Sequence, residues 1–442
     1  MPPIARNERP FDVIREGATG FTGQYVAKHL ALNGPAGLKW AIAGRSESKL
    51  IQVRNKLISW AGTKVENLPI IIADSGDSAS LDAMVGQTRV VASTVGPFAI
   101  YGFPLVESCI RMKTDYVDST GETDFVKKVK DLHHQQAVEA GIKIVSQCGF
   151  DSIPSDLGAL MIADHLRTAH KASTTSIQLV NKVAKGGVSG GTIASVCNMF
   201  SKPIKELREL LDPRILIQDD LPESIAPKSK STFVEYVPAL KAWCSYYFME
   251  GTNIPIVLRS IGLFAKRHID QAAQASYGNN VMYQEMMVAP LSGNVIAAFI
   301  LSFVFKFGAA LLFLIPPLRT LVQRQFPSGA GPTEEQVEKG YCHIELLGEG
   351  ITDEAAKPVK ARGSIKTEFD PGYGETGKMV AESALCLALD RGKLETADPA
   401  VVGPFAPFRG GVLTPATAMG MVLVNRLRRQ RMEFAVSSAD QA

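Results

Sequence analysis

Phe11-Asp12-Val13-Ile14-Arg15-Glu16-Gly17-Ala18-Thr19-Gly20-Phe21-Thr22-Gly23 is the stretch that decides the fold. A short apolar run ends in three evenly spaced glycines and passes into a helix expected to begin near Thr22. Glycines here let the chain turn tightly and approach a pyrophosphate, while a helix N-terminus offers unpaired N–H groups and partial positive charge. Outward from this loop, short apolar runs at 39–43, 68–73, 90–94, 115–118 and 143–146 alternate with longer amphipathic stretches, the pattern of parallel strands joined by crossover helices. Ile70-Ile71-Ile72 and Val90-Val91-Ala92 are continuous enough for strands buried on both faces. Residues 1–150 therefore read as a doubly wound parallel α/β sheet that binds a dinucleotide.

The 442 residues exceed one ordinary core. A hydrophobic share of 46% and a net charge of +3, from 47 basic and 44 acidic residues, exclude a disordered chain and a polybasic nucleic-acid binder. The six cysteines are widely spaced with no CxxC pair, which suits reduced thiols inside a cell. The first ten residues contain no apolar run of signal-peptide length, so an intracellular location is expected. Residues 151–442 read as a second, α+β domain. It has a strand at 174–183, a glycine-rich turn at 186–192, a helix at 193–211, later strands at 341–348 and 359–368, and a helix at 378–389.

Gly17, Thr19, Gly20, Phe21, Thr22 and Gly23 form the expected phosphate loop. The second strand ends Ala43-Gly44-Arg45-Ser46, where an NAD enzyme would offer an acidic residue to the ribose 2′-hydroxyl. Arg45, with Ser46, suits a 2′-phosphate instead, so NADPH is expected ahead of NADH. A solvated arginine is the plain alternative. Asp74 and Gly96-Pro97 follow the third and fourth strands on the same edge, near the expected adenine and nicotinamide, though both also suit simple turns.

Hydride chemistry on a bound dinucleotide would need a proton donor beside the hydride source. Tyr101, Glu122 and Asp151 are the candidates, because each follows a strand end on the cofactor edge. Packing for Tyr101 and helix capping for Asp151 are the competing explanations. Ser189-Gly190-Gly191-Thr192 suits a substrate carbonyl or phosphate, or a capped turn. Lys182 and Lys185 suit an acidic carrier, or solvent. His133 and His134 read as surface, and no metal site is expected. Arg15 and Glu16 conflict with burial, so they must pair or the strand must fray.

These residues carry a resemblance to the saccharopine dehydrogenase-like oxidoreductases, which include the mycobacterial trans-acting enoyl reductases. It extends from the glycine loop through Ala41–Ser46, Val95–Phe98 with Tyr101-Gly102, Tyr116–Asp118 with Gly121-Glu122, and 148–158. Ser189–Thr192, Gly331-Pro332-Thr333 and 410–416 follow in order. The resemblance implies an N-terminal NAD(P)-binding Rossmann domain, a C-terminal α+β domain and, in animal members, association with lipid droplets.

Residues 295–318 form an apolar segment interrupted only by Lys306. Its length suits a membrane span, but a central charge is costly there. A hairpin bent at Lys306 and Gly308, with Arg319 and Arg324 meeting anionic headgroups, is the rival expectation. A buried core helix or a homodimer contact is the plain alternative. The reading is an NADPH-dependent oxidoreductase acting on a lipid-like substrate, with enoyl reduction the expected reaction, at a membrane or lipid-droplet surface, and otherwise cytoplasmic. Two alternatives stand beside it: a non-catalytic Rossmann scaffold or cofactor sensor on lipid surfaces, and an amino-acid or imine dehydrogenase using Arg259 and Arg362 for carboxylates.

Overall fold

A computed structural model describes residues 4–217, 221–271, 276–327, 330–396 and 398–439. The alternating pattern folds as read. Strands β1 (Phe11–Glu16), β2 (Trp40–Gly44), β3 (Ile70–Ile72), β4 (Thr88–Ser93), β5 (Asp115–Asp118) and β6 (Lys143–Val145) pair in parallel in the order β6-β5-β4-β1-β2-β3. The order reverses between β1 and β4, so their carboxyl ends open the crevice that nucleotides occupy in such sheets. β1 is intact to its last residue, with Glu16 opposite Ala43 and Ser93. The charged pair does not fray it.

β3 departs from expectation. It is a three-residue edge strand, and Ile72 is 50% exposed. Apolar continuity alone did not make it a strand buried on both faces.

The second sheet contains β7 (Ala172–Lys185), β8 (Lys228–Ser229), β9 (Val234–Val237), β10 (Ala242–Tyr246), β11 (Met282–Val288), β12 (Tyr341–Thr352) and β13 (Pro358–Thr367). β14 (Gly411–Leu413) lies instead beside β6 in the first sheet, and β15 (Glu433–Ser438) ends the second. The second sheet runs β15-β13-β12-β7-β11-β10-β9, with β8 on β11. The helix expected at 193–211 is two helices, Gly190–Met199 and Ile204–Leu210, because Pro203 stands at the start of the second.

Two segments beyond residue 150 join the first sheet. β14 extends the first sheet, and the buried helix Thr376–Leu389 packs on β1, β4, β5 and the helix Phe21–Asn33. Glu382 on that helix is 1% exposed. Its carboxylate lies 2.8 Å from His29 Nε2 and accepts from Arg426 Nε at 2.8 Å. All six cysteines are free and buried.

The apolar segment is one uninterrupted helix, Val295–Leu314. Among the described residues it is the one helix long and apolar enough to cross a membrane. It does not bend at Lys306 or Gly308; the break comes at Ile315-Pro316, where the helix Pro316–Gln325 begins. One face docks on β9 and β10. Ala298 and Ser302 are buried there, and the Ser302 hydroxyl donates to the Phe233 carbonyl and accepts from the Tyr246 N–H. Lys306 lies over the Tyr246 ring, 4.4 Å from its centroid, so the central charge has an aromatic partner on the protein side. Ile296, Ile300, Phe303, Val304, Phe307 and Leu314 are exposed. Arg319 does not face outward: its guanidinium donates to the carbonyls of Leu312, Phe313 and Phe200. Arg324 is exposed.

The helices Phe21–Asn33 and Thr376–Leu389 approach closely at Gly377, where an added Cβ would stand 2.7 Å from the Tyr25 carbonyl carbon. Gly377→Val is expected to lower unfolding free energy by about 1–3 kcal/mol through overpacking. Gly392→Ala, at a position with open space, is the control and should change it by under about 0.5 kcal/mol. Chemical denaturation of both variants checks this.

Candidate active site

Gly17 has φ +79°, and a Cβ on it would stand 2.5 Å from Val95 Cγ2. Only glycine meets both demands. The helix Phe21–Asn33 begins with no side-chain cap, and Gly20, its N-cap, is exposed. An uncapped helix start behind a left-handed glycine fits the diphosphate of a dinucleotide. Thr19 and Thr22 are half-buried beside it.

Phe21 has a different role. Its ring lies edge-on to Tyr373, with centroids 4.9 Å apart, and a Cβ on Gly331 would come within 2.6 Å of it. The Tyr373 hydroxyl in turn meets the Ser189 N–H and lies 3.1 Å from Thr192 Oγ1. Thus Phe21 joins the phosphate loop to 331–333 and 189–192, and the Ser189–Thr192 turn is capped from within the protein.

Arg45 is exposed at the end of β2, with no hydrogen bond or ion pair among the described residues, so its guanidinium is free for a 2′-phosphate. Ser46 Oγ lies 3.3 Å from Ser48 Oγ. Asp74 is exposed and its carboxylate accepts from the Gly76 N–H at 2.9 Å, a turn role. Gly96-Pro97 is a cis peptide leading into the helix Phe98–Arg111.

Glu122 is 7% exposed. Its two carboxylate oxygens accept from the Phe98 and Ala99 N–H groups at 3.1 and 2.9 Å, and Ser195 donates to it at 3.1 Å. The carboxylate therefore caps the helix after Pro97 and holds the helix Gly190–Met199 above that end. Both carboxylate oxygens are thus engaged by groups of the protein itself. Lys202 pairs with Asp124 at 2.6 Å beside it. Sequence reading missed Ser195, which no motif marks.

Asp118 organises the loops that carry both acidic candidates. It is fully buried and accepts from the Thr120 N–H, the Gln147 N–H and the Ser146 hydroxyl at 2.8–3.0 Å. Burial outweighs those donors and raises its pKa to about 6. Gln147 and Ser152 take left-handed φ values of 60° and 88° in the same loop, a conformation that non-glycine residues adopt at a cost.

Asp151, between them, is half-buried and has no hydrogen-bond partner among the described residues. Its Oδ2 would lie 3.1 Å from a Cβ on Gly121. Burial alone raises its pKa to about 6. It does not cap the next helix, Ile153–His170, whose N-cap is Ser152. Tyr101 is 39% exposed, and its hydroxyl has no hydrogen-bond partner among the described residues.

Several expectations are corrected. His133 is buried and lies against Gln136, while His134 Nδ1 meets the Val412 N–H at 3.2 Å, so neither is a surface residue. Arg259 is buried and donates to the Leu216 and Val412 carbonyls. Arg362 pairs with Glu345 at 2.8 Å, and Lys182 shares that carboxylate at 3.4 Å. Neither arginine is free for a substrate carboxylate.

A family profile described as the saccharopine dehydrogenase NADP binding domain matches residues 13–145. A Mycobacterium leprae protein named trans-acting enoyl reductase is 33% identical over 444 residues, covering 96% of this chain and 97% of its own. A Mycobacterium tuberculosis protein that bears the name provisionally is 36% identical over 436 residues, covering 95% and 96%. Saccharopine dehydrogenase (L-Glu forming) from Saccharomyces cerevisiae overlays with TM-score 0.47 at 14% identity, across 97% of this chain and 99% of that one. With its NADP-binding sheet and full-length similarity to these relatives, the chain belongs to the saccharopine dehydrogenase-like, trans-acting enoyl reductase family and is an NAD(P)H-dependent oxidoreductase.

Proposed function

We propose that this oxidoreductase uses NADPH to reduce the carbon–carbon double bond of an enoyl lipid at a membrane or lipid-droplet surface. The observation that carries the proposal is a continuous set of contacts. The exposed apolar helix Val295–Leu314 leads into Pro316–Gln325, which packs on Gly190–Met199. That helix is tied by Ser195 to Glu122 at the cofactor edge. A lipid surface engaging the first helix would thus lie beside the reacting edge. Docking of the apolar helix along β9 and β10 favours lying in one leaflet over spanning two. The names of the relatives support the enoyl substrate.

The reduced nicotinamide, when bound, supplies a hydride. Gly17, Gly20 and the start of the helix Phe21–Asn33 hold the diphosphate, and Arg45 holds the 2′-phosphate. Reduction of an enoyl group also requires a proton at the carbon beside the carbonyl. The Asp151 carboxyl supplies it, because it is unpartnered and its raised pKa keeps a proton available at near-neutral pH. Glu122 and Ser195 keep the two sides of the cleft in register.

Asp151→Asn is expected to lower kcat by about 10²–10⁴ while leaving NADPH affinity unchanged. In the wild type, kcat/KM should fall on the alkaline side of about pH 6; persistence of that limb in the variant would overturn the assignment. The raised carboxyl pKa also means that stability is lost as pH climbs from 3.8 to about 6. Asp151→Asn should therefore raise stability at pH 7 by about 2–3 kcal/mol, read from urea unfolding. Arg45→Ala is expected to reduce the preference for NADPH over NADH at least tenfold in binding titrations. The double substitution Phe303→Ser, Phe307→Ser removes two exposed rings stacked 5.2 Å apart. It should cut flotation with phosphatidylglycerol-containing vesicles by tenfold or more, since burying each ring contributes about 1.5–3 kcal/mol, with thermal unfolding unchanged. Unchanged flotation would rule out the lipid-surface role of this helix.

A further inference from the structure

Arg15 is 0% exposed and among the largest fully buried side chains in the molecule. Its guanidinium lies against the phosphate loop. It donates to the carbonyls of Gly17 at 3.3 Å and Ala92 at 2.9 Å, and also reaches the Glu16 carbonyl and the Thr94 hydroxyl. A Cβ on Gly23 would come within 2.5 Å of Nη2, so the group also touches the first turn of the cofactor helix. Glu16 acts on that charge from nearby but makes no ion pair with it: its carboxylate accepts from the Ser93 hydroxyl at 2.6 Å, which itself accepts from the Val95 N–H at 3.2 Å.

This arrangement has two effects on the loop. In a trans peptide the carbonyl and the N–H point opposite ways. Arg15 and the Gly20 N–H, the latter at 3.1 Å, both bond the Gly17 carbonyl. The Ala18 N–H of the same peptide is thereby turned away from them, and it has no partner among the described residues. In addition, a buried cation without a direct counter-ion gains from an anion placed near it in a poorly screened region.

We propose that Arg15 is a positioning residue for the cofactor's diphosphate: it fixes the Gly17–Ala18 peptide plane and sets a positive charge behind the loop. The inference rests on the NADPH assignment. The charge in the first strand thus serves the cofactor and does not weaken its site.

The test titrates the full-length protein with NADPH and with adenosine 2′-phosphate, which lacks the diphosphate, alongside thermal unfolding of the unliganded protein. Arg15→Met is expected to weaken NADPH at least tenfold and to change adenosine 2′-phosphate less than twofold. Unchanged or tighter NADPH binding, or parallel loss of both ligands, would overturn the proposal. If Arg15→Met does not fold, Arg15→Lys decides. It keeps the charge but not the fork, and should weaken NADPH threefold or more with adenosine 2′-phosphate unaffected; equal NADPH affinity overturns the proposal. Failure of the wild type to bind NADPH would instead refute the cofactor assignment itself.

Discussion

The buried carboxylate of Glu382 ties the helix Phe21–Asn33 to two helices from the far end of the chain, Thr376–Leu389 and Gly420–Arg429. Arg426 and His29 reach it from two other helices, and all three side chains are largely withdrawn from solvent. Removing one partner from such a cluster leaves an uncompensated charge, which commonly costs about 3–5 kcal/mol. Because the helix Phe21–Asn33 starts at the phosphate loop, its position also fixes where the diphosphate can sit.

Much of the first sheet was legible because strands buried on both faces require continuous apolar runs. The same rule erred at Ile70-Ile71-Ile72, whose outer side has no neighbouring strand. Three-residue β14 carries too little pattern to be read, and it follows its partner β6 by more than two hundred residues. In the second sheet, β11 holds Gln284 and Glu285 at buried positions, so its polarity hides it. Their partners are Thr232 and Glu235 for the first, and Asn253 and Tyr283 for the second.

At the site, Asp118 gathers the two loops that carry Glu122 and Asp151. Their roles were not legible. Glu122 is held by two backbone N–H groups and by Ser195, 73 residues away, whereas the Asp151 carboxylate beside Gly121 has no hydrogen-bond partner among the described residues. Phe21 sits inside a recognisable nucleotide motif, yet Tyr373 and Gly331 occupy its ring. A motif marks where the backbone must pass; tertiary contacts decide what each side chain does.

The threading of the chain has a consequence for how the protein is made. The first sheet is encoded mainly by residues 11–145, but the helix that covers it and the strand that extends it come from 376–389 and 411–413. On a ribosome adding about 5–20 residues per second, the nucleotide-binding half emerges long before its own lid of apolar side chains is synthesised. It cannot complete its core as an independent unit during translation. For tens of seconds the nascent chain lacks the helix and strand that complete this sheet, and the apolar stretch at 295–314 emerges within that interval.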